Sequence, residues 1–119
     1  MPAANDKPTR PERWSVDART ADVATLVIPA DARRQRRFEI TLRFAVSART
    51  PGARHGLRVE VNGAMEWQRS ADTHAPSDSL DYHFRREVPV GRPLKVVAKT
   101  EVREATRVSL RIEAEEDSA

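Results

Sequence analysis

The feature that most constrains the fold is the stretch 38–47, in which large apolar residues occupy every even position from 38 to 46. The odd positions between them hold polar or small residues. Because side chains along a strand point alternately to opposite faces, this period of two predicts a strand with one face on a core and the other in water. The stretch therefore predicts a β protein.

The same alternation recurs along the chain, and no segment has a helical period. Asn62-Gly63 separates two of the predicted strands and is a strong signal for a tight hairpin. The last two predicted strands also fit a hairpin in which Thr100 faces Thr106. We therefore predict an all-β fold, an antiparallel two-sheet sandwich of about seven strands with Ig-like or jelly-roll Greek-key topology. The predicted strands are 24–28, 37–47, 57–61, 64–69, 80–85, 94–99 and 107–114.

The length of 119 residues fits one domain with its own core. Residues 1–20 are rich in proline, charge and small side chains, and predict a flexible N-terminal arm in which only Trp14-Ser15-Val16 has apolar groups able to dock. We assign 21–115 to the sandwich and 116–119 to an acidic tail.

Composition excludes several classes of function. The absence of cysteine excludes disulfides and thiolate zinc sites. The N-terminus lacks the apolar core of a signal peptide, and no stretch approaches 18 apolar residues, so the default expectation is a cytoplasmic protein without a membrane partner. No glycine-rich phosphate loop and no Gly-x-Ser-x-Gly turn is present. We therefore predict neither an enzyme nor a bound cofactor.

The predicted hairpin contains a conflict that bears on function. A plain two-residue turn pairs Arg58 with Trp67 and places Trp67 on the face opposite the core side of Val59. Either an extra residue at the turn restores the inward direction, or Trp67 stands on the outer face beside Arg58. In the second case the indole is a flat platform for a sugar ring or a base.

The segment 71–79 has the densest set of ligand-type side chains, including Asp72, His74 and Asp78. Carboxylates and carbonyls of a loop can bind Ca²⁺. Asp, Ser and Pro are also ordinary turn residues, and the spacing matches no defined metal motif, so we predict no metal site. The predicted ligand-binding residues are Trp67, Arg58, Asp72 and His74.

The sharpest basic feature is the segment 33–37, which places four guanidinium groups in five residues. Such a cluster can clamp phosphates or a sulfated sugar, and the alternative is a solvated loop. Residues 24–70 carry nine basic and four acidic side chains, although the whole chain has a net charge of only +3. The predicted polyanion-binding residues are Arg33, Arg34, Arg36 and Arg37.

One resemblance to a known family rests on two segments, Val59-Glu60-Val61-Asn62-Gly63 and 88–96. Their rhythm resembles that of galactose-binding-like jelly rolls, in which a V-x-V-N-G strand and a later V-x-L-x-x-G-x-N-x-I segment recur. In this chain Pro93-Leu94 stands where that family has Asn. The resemblance implies a jelly-roll architecture and carries no binding residue with it.

Three functions are compatible with these observations. The leading hypothesis is a non-catalytic β-sandwich binding or accessory module whose ligand is a carbohydrate or a protein surface. The first alternative is a binder of nucleic acid or another polyanion through residues 33–37. The second is a structural or assembly domain whose strand edges pair with another chain, and the chain itself is expected to be a monomer or a weak oligomer.

Overall fold

A computed structural model describes residues 10–117. These residues form two four-stranded antiparallel sheets, and the predicted two-sheet sandwich is therefore confirmed, with eight strands rather than about seven. The strands are β1 (Arg13–Asp17), β2 (Val23–Ile28), β3 (Arg36–Ser47), β4 (Arg54–Val61), β5 (Ala64–Asp72), β6 (Ser77–Val88), β7 (Leu94–Arg103) and β8 (Thr106–Glu116).

The strands alternate between the sheets along the chain. Sheet A has the order β1-β8-β3-β6, and sheet B has the order β2-β7-β4-β5. Every connection therefore crosses from one sheet to the other, except the hairpin between β4 and β5. Sheet A ends with β1 and β6 as edge strands, and sheet B ends with β2 and β5.

The core lies between the sheets and is built by the alternation seen in the sequence. In β3 the apolar side chains at even positions are all buried, as predicted, and both neighbouring strands continue the layer. The facing strands of sheet B contribute a second apolar layer. The large side chains with less than 2% exposure are Phe38, Phe44, Ile28, Ile40, Leu42, Leu57, Leu94, Leu110, Ile112, Val46, Val59 and Val88.

The hairpin predicted at Asn62-Gly63 is confirmed. Val61 pairs with Ala64, and both turn residues have positive φ, 49° at Asn62 and 85° at Gly63, as a type I′ turn requires. The turn is also tied to β7, because Asn62 N–H donates to the Lys95 carbonyl and Lys95 N–H donates to Asn62 Oδ1, each at 2.9 Å. This end of sheet B is therefore fixed.

The structure adds a strand within the segment assigned to the arm. Arg13–Asp17 forms β1 and pairs with β8, with Trp14 and Val16 packed against the core. Five residues with two apolar side chains give too short an alternation to be recognised in the sequence. Residues 1–9 of the predicted arm, and 118–119 of the predicted tail, lie outside the described residues.

The predicted hairpin between the last two strands is wrong. β7 pairs with β2 and β4 in sheet B, whereas β8 pairs with β1 and β3 in sheet A. Alternation identifies the buried face of each strand, but it does not identify the neighbouring strand. Both strands bury one face, so a connection across the sandwich satisfies the pattern as well as a hairpin does.

Candidate binding surface

A bulge in the β4–β5 hairpin determines the direction of Trp67. The register shifts between Val59 and Glu60, so that Glu60 faces Met65 while Val59 faces Trp67. Glu66 is the extra residue. Trp67 therefore points toward the core, although the extra residue lies within the strand and not in the turn. The alternative in which Trp67 stands on the outer face is wrong.

Trp67 closes the open edge of the sandwich between β5 and β6. Its ring stacks on Tyr82, with 4.5 Å between ring centroids and 11° between planes. Tyr82 Oη donates to Glu66 Oε2 at 2.8 Å, and Glu66 also pairs with Arg86. Arg58 lies on the other face of sheet B, where its Nε donates to Glu60 Oε2 at 2.9 Å. The structure therefore does not bring Trp67 and Arg58 together.

The two carboxylates of the segment 71–79 are bonded within the protein. Asp72 ends β5 and pairs with Arg54. The carboxylate of Asp78 accepts the backbone N–H groups of His74 (3.0 Å) and Ser79 (2.8 Å), and these bonds lower its pKa. Within residues 10–117 no group of three or more acidic or histidine side chains is placed to hold a metal ion. Of the segment 71–79, only residues 73–76 form the loop between β5 and β6.

His55 is a buried titratable group that the sequence analysis did not select. It lies in β4 with 2% exposure, edge-on to Phe44, and its Nδ1 is hydrogen-bonded to Thr73 Oγ1 at 2.6 Å. Its Nε2 is buried without a hydrogen-bond partner in the described part of the chain. Burial lowers the pKa of His55; Arg54 and His74 act in the same direction, and Asp78 opposes them.

Mild acid is therefore expected to destabilise the protein through His55. The unfolded chain binds a proton at the ordinary pKa of 6.5 and the folded protein binds it at a lower pH, so stability is full above this value and falls as the pH drops below it. We expect a loss on the order of 1 kcal/mol between about pH 7.5 and about pH 5.5, measured by urea unfolding. His55→Gln should remove the difference, whereas His74→Gln, at an exposed position of the adjoining loop, should keep it. Equal wild-type stability at both pH values would contradict this expectation.

Two of the four clustered arginines pair with Glu12, next to β1, and with Glu116, at the end of β8. Arg36 is buried, and its Nη1 donates to Glu12 Oε1 at 2.8 Å while its Nη2 donates to the Pro29 carbonyl at 2.7 Å. Arg34 pairs with Glu12 at 2.8 Å and with Glu116, whose pKa this contact lowers. We call Glu12, Arg34, Arg36 and Glu116 the terminal clasp.

The other two arginines of the cluster are exposed. Arg37 pairs with Glu87 at 2.9 Å across β3 and β6. Arg33 has only its backbone N–H bonded, to Asp31, and among residues 10–117 no carboxylate pairs with its guanidinium. Three of the four guanidinium groups predicted to bind a polyanion therefore already have carboxylate partners. The sequence places the basic residues together, but their acidic partners come from distant segments.

The outer face of sheet B, which we call face B, has exposed apolar side chains on adjacent strands. Val23 and Val27 of β2 are 43% and 52% exposed, and Val97 of β7 lies beside them. At the other edge Met65 of β5 is 58% exposed. The signal in the sequence is the segment 23–28, in which two valines, Val23 and Val27, lie on the strand face opposite the buried one, whereas an outer face in water needs no valine.

A notch crosses face B at Gly56. A Cβ at this position would lie 3.0 Å from Ser70 Oγ, so the glycine keeps the surface open between β7 and β5. The depression beside it has a volume of about 200 Å³ and includes Glu101 and Arg103 in its lining. Within the described residues, neither of these charged side chains has an ion-pair partner. Arg58 and Asp72, both predicted as ligand-binding residues, lie on this face, and His74 lies in the loop beyond it.

The two outer faces differ in charge. Facing outward on sheet B are five basic side chains (Arg54, Arg58, Lys95, Lys99, Arg103) and three acidic ones (Glu60, Asp72, Glu101), a balance of +2. The outer face of sheet A, face A, has five basic (Arg13, Arg37, Arg43, Arg85, Arg111) and six acidic ones (Asp17, Glu39, Asp81, Glu87, Glu113, Glu115), a balance of −1. Face B is therefore basic and partly apolar, and face A is a mixed-charge surface.

Comparison with known proteins bears on the fold. No protein-family model matches this chain, and no curated protein matches its sequence. A solved structure to which it is similar is dimeric latent PorU from Porphyromonas gingivalis, with a TM-score of 0.56 over 88% of this chain at 9% sequence identity. The chain spans only 11% of the PorU chain. Within residues 10–117 there is no helix long and apolar enough to cross a membrane.

Proposed function

We propose that this chain is a non-catalytic binding or accessory module with a jelly-roll fold, and that it binds a protein partner through face B. The jelly-roll assignment is supported by eight strands in two four-stranded sheets whose connections cross the sandwich at every step but one. In an Ig-like sandwich the first two strands share a sheet, whereas β1 and β2 lie in different sheets.

We choose face B because it combines exposed valines with an excess of positive charge. Apolar side chains gathered on a sheet face and surrounded by polar residues are typical of protein interaction sites. A complementary partner presents apolar side chains bordered by carboxylates, because matched charges steer association and select the partner. Face A has no comparable group of valines.

A carbohydrate is the less favoured ligand. Sugar rings bind well to exposed aromatic faces, and the ring of Trp67 is stacked on Tyr82 at the sandwich edge. The polyanion alternative loses support as well, because Arg34, Arg36 and Arg37 have carboxylate partners within the chain. On face B three cations (Arg54, Arg58 and Lys99) also have carboxylate partners, but within residues 10–117 Lys95 and Arg103 have none, and the exposed valines lie beside them.

The test is an NMR titration of the ¹⁵N-labelled protein with a short soluble peptide of glutamate and leucine. We expect saturable shift changes of amides on face B, around Val27 and Lys99. Reversing two face B cations that have no ion-pair partner within residues 10–117, Lys95→Glu with Arg103→Glu, should weaken binding about tenfold or more, because charge matching across the contact is lost. The matched control is Arg111→Glu on face A, which should leave the affinity unchanged.

The alternatives are separate arms of the same experiment. A mixture of oligosaccharides and a heparin oligosaccharide are titrated in place of the peptide. Saturable binding of the oligosaccharides near Trp67 would overturn the protein-partner proposal in favour of a carbohydrate. Binding of heparin at residues 33–37 without any response of face B to the peptide would favour a polyanion.

A further inference from the structure

The edge strand β6 offers a long unpaired edge. It has twelve residues, and its register with β3 runs through all twelve pairs without a shift. β3 is its only strand neighbour among the described residues. The edge strands β1 and β2 are short, and β5 contains a bulge, features that hinder edge-to-edge pairing. β6 lacks both of these features.

On face A, β6 presents an acidic side chain, a histidine and a basic side chain at successive outward positions. Asp81, His83 and Arg85 follow one another on this face. Arg85 is exposed, and within residues 10–117 it has neither a hydrogen-bond nor an ion-pair partner for its guanidinium. Asp81 is 56% exposed and approaches Arg43 only to 3.9 Å. A cation and an anion four residues apart on one strand face are therefore available to another molecule.

Antiparallel pairing of two β6 strands satisfies both charges in one register. With a two-fold axis at His83, Asp81 of each copy lies opposite Arg85 of the other, so two pairs of opposite charge form. On the inner face the same register places Tyr82 opposite Phe84. A two-fold axis at Asp81 would put two carboxylates face to face, and one at Phe84 would set Asp81 against Glu87. Shifting one β6 strand by a single residue would set its outward side chains opposite the inward ones of the other strand, so registers shifted by one residue are disfavoured.

We propose that this chain forms a two-fold symmetric dimer in which the free edges of two β6 strands pair antiparallel about His83. The partner that pairs with this edge is a second copy of the chain, because the charges of β6 are complementary to themselves in this register. A contact in which both copies use the same surface also closes the assembly at two chains. Sheet A then continues across the interface as eight strands. The contact uses the edge of sheet A, so it goes beyond the function proposed for face B and leaves that face free.

Sedimentation velocity over a range from about 10 µM to about 1 mM tests the dimer. The wild-type protein is expected to pass from monomer to dimer with rising concentration. Arg85→Asp places carboxylates opposite each other and should weaken the dimer about tenfold or more. The exchange D81R with R85D in one chain restores unlike pairs and should recover the wild-type dissociation constant within about threefold. A thermal melt of each variant establishes that it is folded.

Cysteine cross-linking tests the register directly, because the protein has no natural cysteine. In the proposed dimer His83→Cys places one thiol opposite its own copy, at a distance within reach of a disulfide. Mild oxidation should therefore link this variant into dimers. Ser79→Cys, on the same face of β6, lies opposite Glu87 and should remain unlinked. A wild-type monomer throughout the concentration range, equal dimerisation of R85D, or equal cross-linking of both cysteine variants would overturn the proposal.

Discussion

Replacing Glu12 with alanine is expected to lower the free energy of unfolding by about 3 kcal/mol, because the change leaves a buried guanidinium without its charge partner. The side chain of Arg36 is 2% exposed and that of Glu12 is 23% exposed. Glu12 also accepts from Arg34 and from the indole N–H of Trp14, at 2.8 and 2.9 Å. Urea unfolding followed by circular dichroism measures the loss.

The matched control is Glu115→Ala. Glu115 pairs with Arg13 at 2.9 Å, but both side chains are mostly exposed, and surface ion pairs of this kind contribute little. We expect this variant to lose less than about 1 kcal/mol. A second variant, Glu12→Ala with Arg36→Met, should recover much of the loss, because it removes the unpaired charge and fills the same space. If Glu12→Ala is no worse than Glu115→Ala, the terminal clasp does not stabilise the fold.

The strand content of the fold could be predicted because burial on one face leaves a period of two in each long strand. β3 shows this most clearly, since its even positions from Phe38 to Val46 all lie in the core. Sheet order could not be predicted in the same way. The Asn62-Gly63 turn identifies β4 and β5 as neighbours through local backbone geometry, whereas β7 and β8 are joined across the sandwich without a local signal.

The candidate site was harder to predict than the fold, because long-range partners determine what a polar side chain is free to do. The basic segment 33–37 is visible in the sequence, but Glu12 and Glu116, which neutralise much of it, lie near the two ends of the chain. Face B depends on residues of four strands, and its small depression depends on Gly56 facing Ser70. No spacing within one segment encodes such a surface.

Trp67→Ala is expected to lower the free energy of unfolding by about 3 kcal/mol, near the lower end for removing a large aromatic side chain from a core. The indole faces Val59 across the hairpin, packs against the core and stacks on Tyr82, although it is only partly buried. Urea unfolding measures the change.

Met65→Ala is the matched control, because Met65 lies two residues away on the same strand and faces solvent. Its loss is expected to be below about 1 kcal/mol, as for an exposed side chain. Tyr82→Phe separates the stack from the hydrogen bond to Glu66, since it keeps the ring and should lose about 1 kcal/mol. If Trp67→Ala keeps full stability and instead abolishes binding of an oligosaccharide, the indole is a ligand platform. The edge between β5 and β6 would then be the binding site in place of face B.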